Sequence, residues 1–100
     1  MLFKRKVIEI MSSIRDDVKK FGVRKLWLFG SYVREEQKKI SDIDILVKFE
    51  KGKKTFDNYM ELKFFLEEKL GVKVDLIPAE SLRPEIKDHV WKEAVSIEGL

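Results

Sequence analysis

The sequence predicts an α/β fold, more narrowly an α+β arrangement in which helices cover one small mixed sheet. Two observations carry this prediction. Apolar residues at helical spacing alternate along the chain with three short apolar runs of strand length. The segment between the second and third runs is long enough for a crossover between parallel strands, whereas the shorter, polar connection between the first two suits antiparallel strands.

The first half of the chain contains one long helix and two strands. An apolar stripe at helical spacing predicts a helix over about residues 4–21. The apolar run 26–29, which Gly30 ends, predicts the first strand. The polar segment 31–39 is expected to begin as a short helix, and the β-branched run 43–49 predicts the second strand.

The second half continues the alternation, so that the predicted order is α-β-α-β-α-β-α. Apolar side chains along one side predict a helix over about 56–70, and the apolar run 72–77 predicts the third strand. Pro84 suits the first turn of a final helix that ends by about Ala94. Residues 95–97 either continue that helix or form a short edge strand.

Composition excludes several classes of protein and site. A chain of 100 residues has room for one domain, which we expect to span residues 1–100. The absence of cysteine excludes disulfides and thiolate metal sites, and the single histidine excludes a histidine-rich zinc site. A net charge of +3 is too small to indicate direct nucleic-acid binding. No apolar run approaches the roughly 20 residues that span a bilayer, and no secretory signal is visible, so we expect a cytoplasmic protein without membrane contact.

An acidic pair stands where the second strand begins. Asp42 and Asp44 are two residues apart, and side chains at this spacing point to one face of a strand. Like charges so placed raise each other's pKa unless a cation lies between them. Mg²⁺ is the natural cation because it takes oxygen ligands and keeps positions open for water and phosphate. The alternative is that Ser41 and Asp42 form a turn and Asp44 merely faces solvent.

Asp75 lies between apolar residues of the third strand. If the second and third strands are parallel neighbours, Asp75 approaches Asp44. Three carboxylates can then surround two metal ions roughly 3.5–4 Å apart, the arrangement used for phosphoryl or nucleotidyl transfer. One ion would lower the pKa of the attacking hydroxyl, and the other would hold a nucleoside triphosphate. The alternative for Asp75 is a surface residue of an edge strand.

The dipeptide Gly30-Ser31 follows the first strand. Glycine lets a phosphate approach the backbone closely, and the start of a helix offers free N–H groups. Ser31 either adds a hydroxyl donor to phosphate or only caps the helix. Arg34, one helical turn further, either reaches a phosphate or a partner, or is simply solvated. If the first two strands are antiparallel, this dipeptide and the acidic pair meet at one edge of the sheet.

The segments 29–34 and 41–47 together resemble the minimal nucleotidyltransferases of the DNA polymerase β superfamily. The family pattern is Gly-Ser, an Arg, a Ser-Asp-x-Asp strand and a third Asp, which six residues match in order: Gly30, Ser31, Arg34, Asp42, Asp44 and Asp75. The resemblance implies the nucleotidyltransferase fold over nearly the whole chain. It also implies that the three aspartates are the catalytic metal ligands and that the other three residues bind the nucleotide. One position departs from the pattern, since Glu35 stands where the family often has Gly.

The resemblance implies a biological setting as well. Proteins of this family and length resemble the antitoxin of a two-gene module whose partner is a helical HEPN ribonuclease toxin, so a hetero-oligomer is expected. The implied reaction is AMPylation: Mg²⁺-dependent transfer of AMP from ATP to the toxin. The alternative function is a non-catalytic antitoxin that neutralises its partner by contact, with the carboxylate site weakened or used only to bind nucleotide.

Overall fold

Four strands form one mixed sheet in the computed structural model, which describes residues 2–38 and 41–100. In chain order the elements are α1 (Lys4–Ser13), α2 (Arg15–Lys19), β1 (Val23–Phe29), α3 (Ser31–Arg34), β2 (Ile43–Phe49), α4 (Phe56–Leu70), β3 (Val74–Pro78), a 3-10 turn (Ala79–Ser81), α5 (Pro84–Glu93) and β4 (Val95–Ser96). The sheet order is β3-β2-β1-β4. β2 is antiparallel to β1 and parallel to β3, which confirms both predicted pairings.

The predicted first helix is wrong in one respect, because it is broken at Ile14, whose φ of −104° and ψ of 10° are not helical. Two side chains compete for the carbonyl groups of the last turn of α1. Ser13 Oγ donates to Ile10 O at 2.6 Å, and Arg15 Nη1 donates to Ser12 O at 2.8 Å. Serine hydroxyls that bond back to the helix backbone bend or end helices. The apolar stripe itself survives the break, since Val18 on α2 remains fully buried.

Other boundaries differ by a few residues. β1 begins at Val23, earlier than the apolar run indicates, because the polar residues Arg24 and Lys25 separate Val23 from that run while Val23 and Lys25 still pair with β2. Pro78, expected to stop the third strand, is instead its last residue, and an edge strand tolerates proline there. The short helix in segment 31–39 ends at Arg34, and residue 39 lies outside the described residues.

The two faces of the sheet are covered unequally. One face packs against α1, α2 and α4 in a core that includes Met11, Leu28, Ile45 and Leu66. The other face carries a smaller cluster in which Val90 of α5 packs with residues of β1 and β2. In the described part of the chain, no helix has the length and apolar character needed to cross a bilayer.

We expect Leu66→Ala to lower the free energy of unfolding by about 2–5 kcal/mol, because it empties a fully buried position of α4. The matched control is Phe64→Ala on the same helix, where the side chain is 59% exposed and the loss should stay within about 0.5 kcal/mol. Urea unfolding measures both changes. Equal losses would mean that α4 packs through a different face.

Candidate active site

Two of the predicted acids are neighbours across β2 and β3. Asp44 is in register with Asp75 on its parallel side and with Phe29 on its antiparallel side. Residues in register point to the same face, and Leu46, two residues further along β2, packs on the face that α5 partly covers. The side chains of Asp44 and Asp75 therefore share that face, at the edge where β2 and β3 begin.

Asp44 has a strongly perturbed carboxyl group. Burial raises its pKa to about 6, together with the charges of Asp75 and Asp42, whereas the Arg34 guanidinium acts in the opposite direction. Asp42 is exposed and lies one residue before β2, so the acidic pair straddles the start of the strand. The ionised form of Asp44 thus stands among like charges, and a cation bound there would stabilise it.

Gly30 brings the turn after β1 directly against this carboxylate. Its backbone has a φ of 79° and a ψ of −153°, a region that only glycine adopts readily. A Cβ atom added there would overlap Asp44 Oδ2. The position therefore requires glycine twice over, for its backbone conformation and for the close approach of the acid.

Ser31 and Glu35 bound the short helix that follows. Gly30 is the N-cap of α3 and Ser31 is its first residue, so the interpretation of Ser31 as a cap is wrong. Glu35, the position that departs from the family pattern, ends α3 with a φ of 57°. This left-handed conformation favours glycine, which gives a physical reason for the residue that the family often has there.

Arg34 is exposed at the end of α3 and is held by two carboxylates. Its Nε donates to Glu36 Oε1 at 2.7 Å, and its Nη1 donates to Glu93 Oε1 at 2.9 Å and Oε2 at 3.0 Å. Glu93 lies on the last turn of α5 and also accepts a hydrogen bond of 2.8 Å from Gly30 N. A single residue, Glu93, thus forms hydrogen bonds with both the turn at Gly30 and the guanidinium of Arg34.

Sequence analysis missed Glu93. Its contact with Gly30 spans 63 residues, and such a pairing leaves no local pattern. The one available signal was weak: Glu93 follows His89 by four residues on a predicted helix, and the two side chains do meet at 3.2 Å.

The donor chemistry of the predicted acids fits Mg²⁺, because all three are carboxylates at one sheet edge and burial and like charges raise the pKa of Asp44. Over residues 2–38 and 41–100, however, no group of three Asp, Glu or His side chains is close enough to enclose a metal ion.

Comparison with known proteins agrees with this arrangement. The model of the nucleotidyltransferase domain family matches residues 7–97. A candidate protein adenylyltransferase of Methanocaldococcus jannaschii is 46% identical over 94 residues, which are 94% of this chain and 92% of the relative. The protein adenylyltransferase MntA of Thermococcus cleftensis is 39% identical over 98 residues, covering 97% of this chain and 98% of the relative.

Solved structures give the same result for the fold. The structure of a candidate minimal nucleotidyltransferase superposes with a TM-score of 0.80 at 31% identity, covering 94% of this chain and 95% of that one. A toxin–antitoxin structure with AMP-PNP superposes with a TM-score of 0.69 at 27% identity, covering 99% of this chain and 75% of that one. The predicted fold is confirmed.

We expect Gly30→Ala to be far more destabilising than its control Gly52→Ala. Both glycines have a φ near +79°, so an alanine is strained at each, by about 1–3 kcal/mol and more so at Gly30, whose ψ is −153°. Only at Gly30 would the new Cβ overlap a neighbouring side chain, whereas nothing lies within 4 Å of it at Gly52. Urea unfolding measures the difference, and equal losses would contradict the close contact with Asp44.

We expect Asp44→Asn to stabilise the metal-free protein at pH 7 by about 1 kcal/mol, a value reduced for the group's partial exposure. A carboxyl group with a raised pKa binds more protons folded than unfolded. Its contribution is therefore most favourable below about pH 4 and is lost as the pH rises to about 6. Urea unfolding in EDTA at pH 4 and pH 7 tests this, with exposed Asp88→Asn as the control for charge. A variant less stable than the parent at pH 7 would contradict it.

Proposed function

The chain belongs to the nucleotidyltransferase family, and from that premise we propose that it transfers AMP from ATP to a protein partner and acts as the antitoxin of a toxin–antitoxin pair. The observation that carries the proposal is the contact between the turn at Gly30 and the carboxylate of Asp44. A phosphate-binding turn and a metal-binding acid must adjoin for nucleotidyl transfer, because the reacting phosphorus lies between them.

We assign the parts of the site by their chemistry. Ser31 offers a hydroxyl and Arg34 a guanidinium to the triphosphate, since both lie at the turn after β1. The carboxylates of Asp42, Asp44 and Asp75 would hold two Mg²⁺ ions, in the arrangement that the sequence predicts. When bound, the metal lowers the pKa of the attacking hydroxyl and stabilises the leaving pyrophosphate.

The reaction follows from this assignment. A hydroxyl oxygen of the partner gives up its proton to water or to a carboxylate of the site and forms a bond to the α-phosphorus of ATP, while the bond from that phosphorus to the bridging oxygen breaks. Pyrophosphate leaves, and AMP stays on the partner. The role of this chain's residues is to hold the triphosphate in line with the incoming hydroxyl, which alone accounts for a large part of such rate accelerations.

A protein is the acceptor that best fits this chain. Asp42 and Asp75 are exposed at the sheet edge, where the surface of a protein acceptor can approach them. Relatives support the same choice, since MntA of Thermococcus cleftensis is named a protein adenylyltransferase and a similar structure is a toxin–antitoxin. We therefore propose a helical HEPN toxin as the partner, in a hetero-oligomer; the cytoplasm stays the predicted compartment.

The contact-only antitoxin stays as a second candidate because of one observation. Glu93 accepts hydrogen bonds from the Gly30 N–H and from Arg34, two donors that a triphosphate would use. A site closed in this way would leave the chain to act through its surface. Incubation with labelled ATP, Mg²⁺ and the partner separates the candidates, because only the catalytic proposal expects label on the partner; that proposal also expects AMP-PNP binding at least tenfold weaker in EDTA than in Mg²⁺.

We expect the double substitution Asp42→Asn and Asp44→Asn to lower AMP transfer by several orders of magnitude. The metal would lose its main anionic ligands, and each 1.4 kcal/mol of lost stabilisation is about tenfold in rate. Labelled ATP, Mg²⁺ and the HEPN partner provide the assay. The control is a double Asn variant at the exposed acids Asp57 and Asp88.

The same double variant should remain folded in EDTA, because adjacent carboxylates repel when no cation lies between them. A purely structural acidic pair predicts the reverse, namely lost stability and preserved transfer. A variant that melts well below the parent and still transfers AMP would overturn the catalytic assignment.

A further inference from the structure

Glu93 has no part in the proposed reaction itself, yet several donors lie within hydrogen-bond distance of its carboxylate. Gly30 N donates to Oε2 at 2.8 Å, Arg34 Nη1 lies 2.9 Å from Oε1 and 3.0 Å from Oε2, and His89 Nε2 lies 3.2 Å from Oε1. The side chain is only 14% exposed. A carboxylate so far from water is stable only when donors replace its hydration, so these contacts form a specific site rather than a chance surface pair.

The main chain around Glu93 is fixed on both sides. Before it, Trp91 packs edge-on against Trp27 of β1, with ring centroids 4.9 Å apart. After it, β4 pairs with β1, where Val95 is in register with Leu28. Glu93 is therefore held between two attachments to β1, the strand that Gly30 follows, and its carboxylate has a defined position relative to the turn.

The negative charge of Glu93 disfavours the binding of an anion nearby. Its hydrogen-bond partners indicate what it contributes instead, because they are the glycine of the proposed phosphate turn and the arginine that follows it. Charge-assisted hydrogen bonds fix geometry as well as adding stability. Gly30 O accepts from Val33 N and Arg34 N at the start of α3, and Glu93 holds the N–H of the same residue, so the turn is fixed at both ends.

We propose that Glu93 is a positioning residue for nucleotidyl transfer, which holds the Gly30 turn through its N–H and sets the direction of the Arg34 guanidinium. Glu93 does not touch the reacting atoms in this account; it acts through Gly30 and Arg34. The inference rests on the proposed function and adds a residue to it. Without Glu93, the turn and Arg34 sample more conformations, so that a bound triphosphate spends less time aligned for attack.

Three variants of the full chain test this. Glu93→Ala removes every contact, whereas Glu93→Gln keeps an oxygen that can accept from Gly30 N–H but loses the charge that holds Arg34. Asp88→Asn is the matched control, because it also removes one acid from α5, at an exposed position outside the contacts of Gly30 and Arg34. The measurements are hydrogen exchange of the Gly30 amide, the affinity for AMP-PNP with Mg²⁺, and kcat for AMP transfer to the HEPN partner.

For Glu93→Ala we expect Gly30 amide exchange at least tenfold faster, AMP-PNP binding about tenfold weaker and kcat at least tenfold lower. Glu93→Gln should keep the slow exchange and show a smaller loss of kcat, and Asp88→Asn should match the parent in all three. Exchange of the Leu28 amide corrects for global unfolding. If Glu93→Ala does not fold, Glu93→Gln decides, and a parental kcat in that variant overturns the proposal.

Two further outcomes overturn it. One is parental exchange and kcat in Glu93→Ala. The other is tighter AMP-PNP binding with unchanged kcat, which would make Glu93 a competitor of phosphate for Arg34. If the parent transfers no AMP, the proposed function fails by itself. Gly30 exchange and AMP-PNP affinity then decide whether Glu93 positions the turn, since neither measurement requires turnover.

Discussion

The register of β2 between its two neighbours is the constraint on which the rest of the structure depends. β2 is antiparallel to β1 and parallel to β3, so that Asp44 is fixed opposite both Phe29 and Asp75. A shift of one residue would turn Asp44 towards the helical core and expose the buried residues Ile43 and Ile45. The apolar residues that alternate with the acid therefore determine where the acid points, and the core of the protein also sets the geometry of the site.

This arrangement has an electrostatic cost that the fold must offset. Asp44 is half-buried among other carboxylates, and its raised pKa measures how unfavourable its charge is there. Hydrophobic packing on the opposite face, around residues such as Leu28 and Ile45, stabilises the strands that carry it. The strand pairing thus holds Asp44 beside Asp75, and a cation bound there would relieve the repulsion between them.

Local patterns made most of the fold predictable, and with it the proximity of Gly30, Asp44 and Asp75 at one edge of the sheet. Strand periodicity placed Asp44 on one face, and parallel pairing then brought Asp75 beside it. The break at Ile14 was missed because it depends on side-chain hydrogen bonds of neighbouring residues, which apolar spacing does not record. β4 stayed open between helix and strand because two residues form a strand only through their pairing with β1. Glu93 was missed for the same reason: its role exists only in the folded chain.

The separation of Glu93 from Gly30 along the sequence also has a kinetic consequence. Their hydrogen bond closes a loop of 63 residues, and longer loops carry a greater closure entropy. The pairing of Phe29 with Asp44 joins β1 to β2 through a much shorter loop. We therefore expect β1 and β2 to pair before α5 docks, so that the turn at Gly30 takes its final form only after the strands beside it have paired.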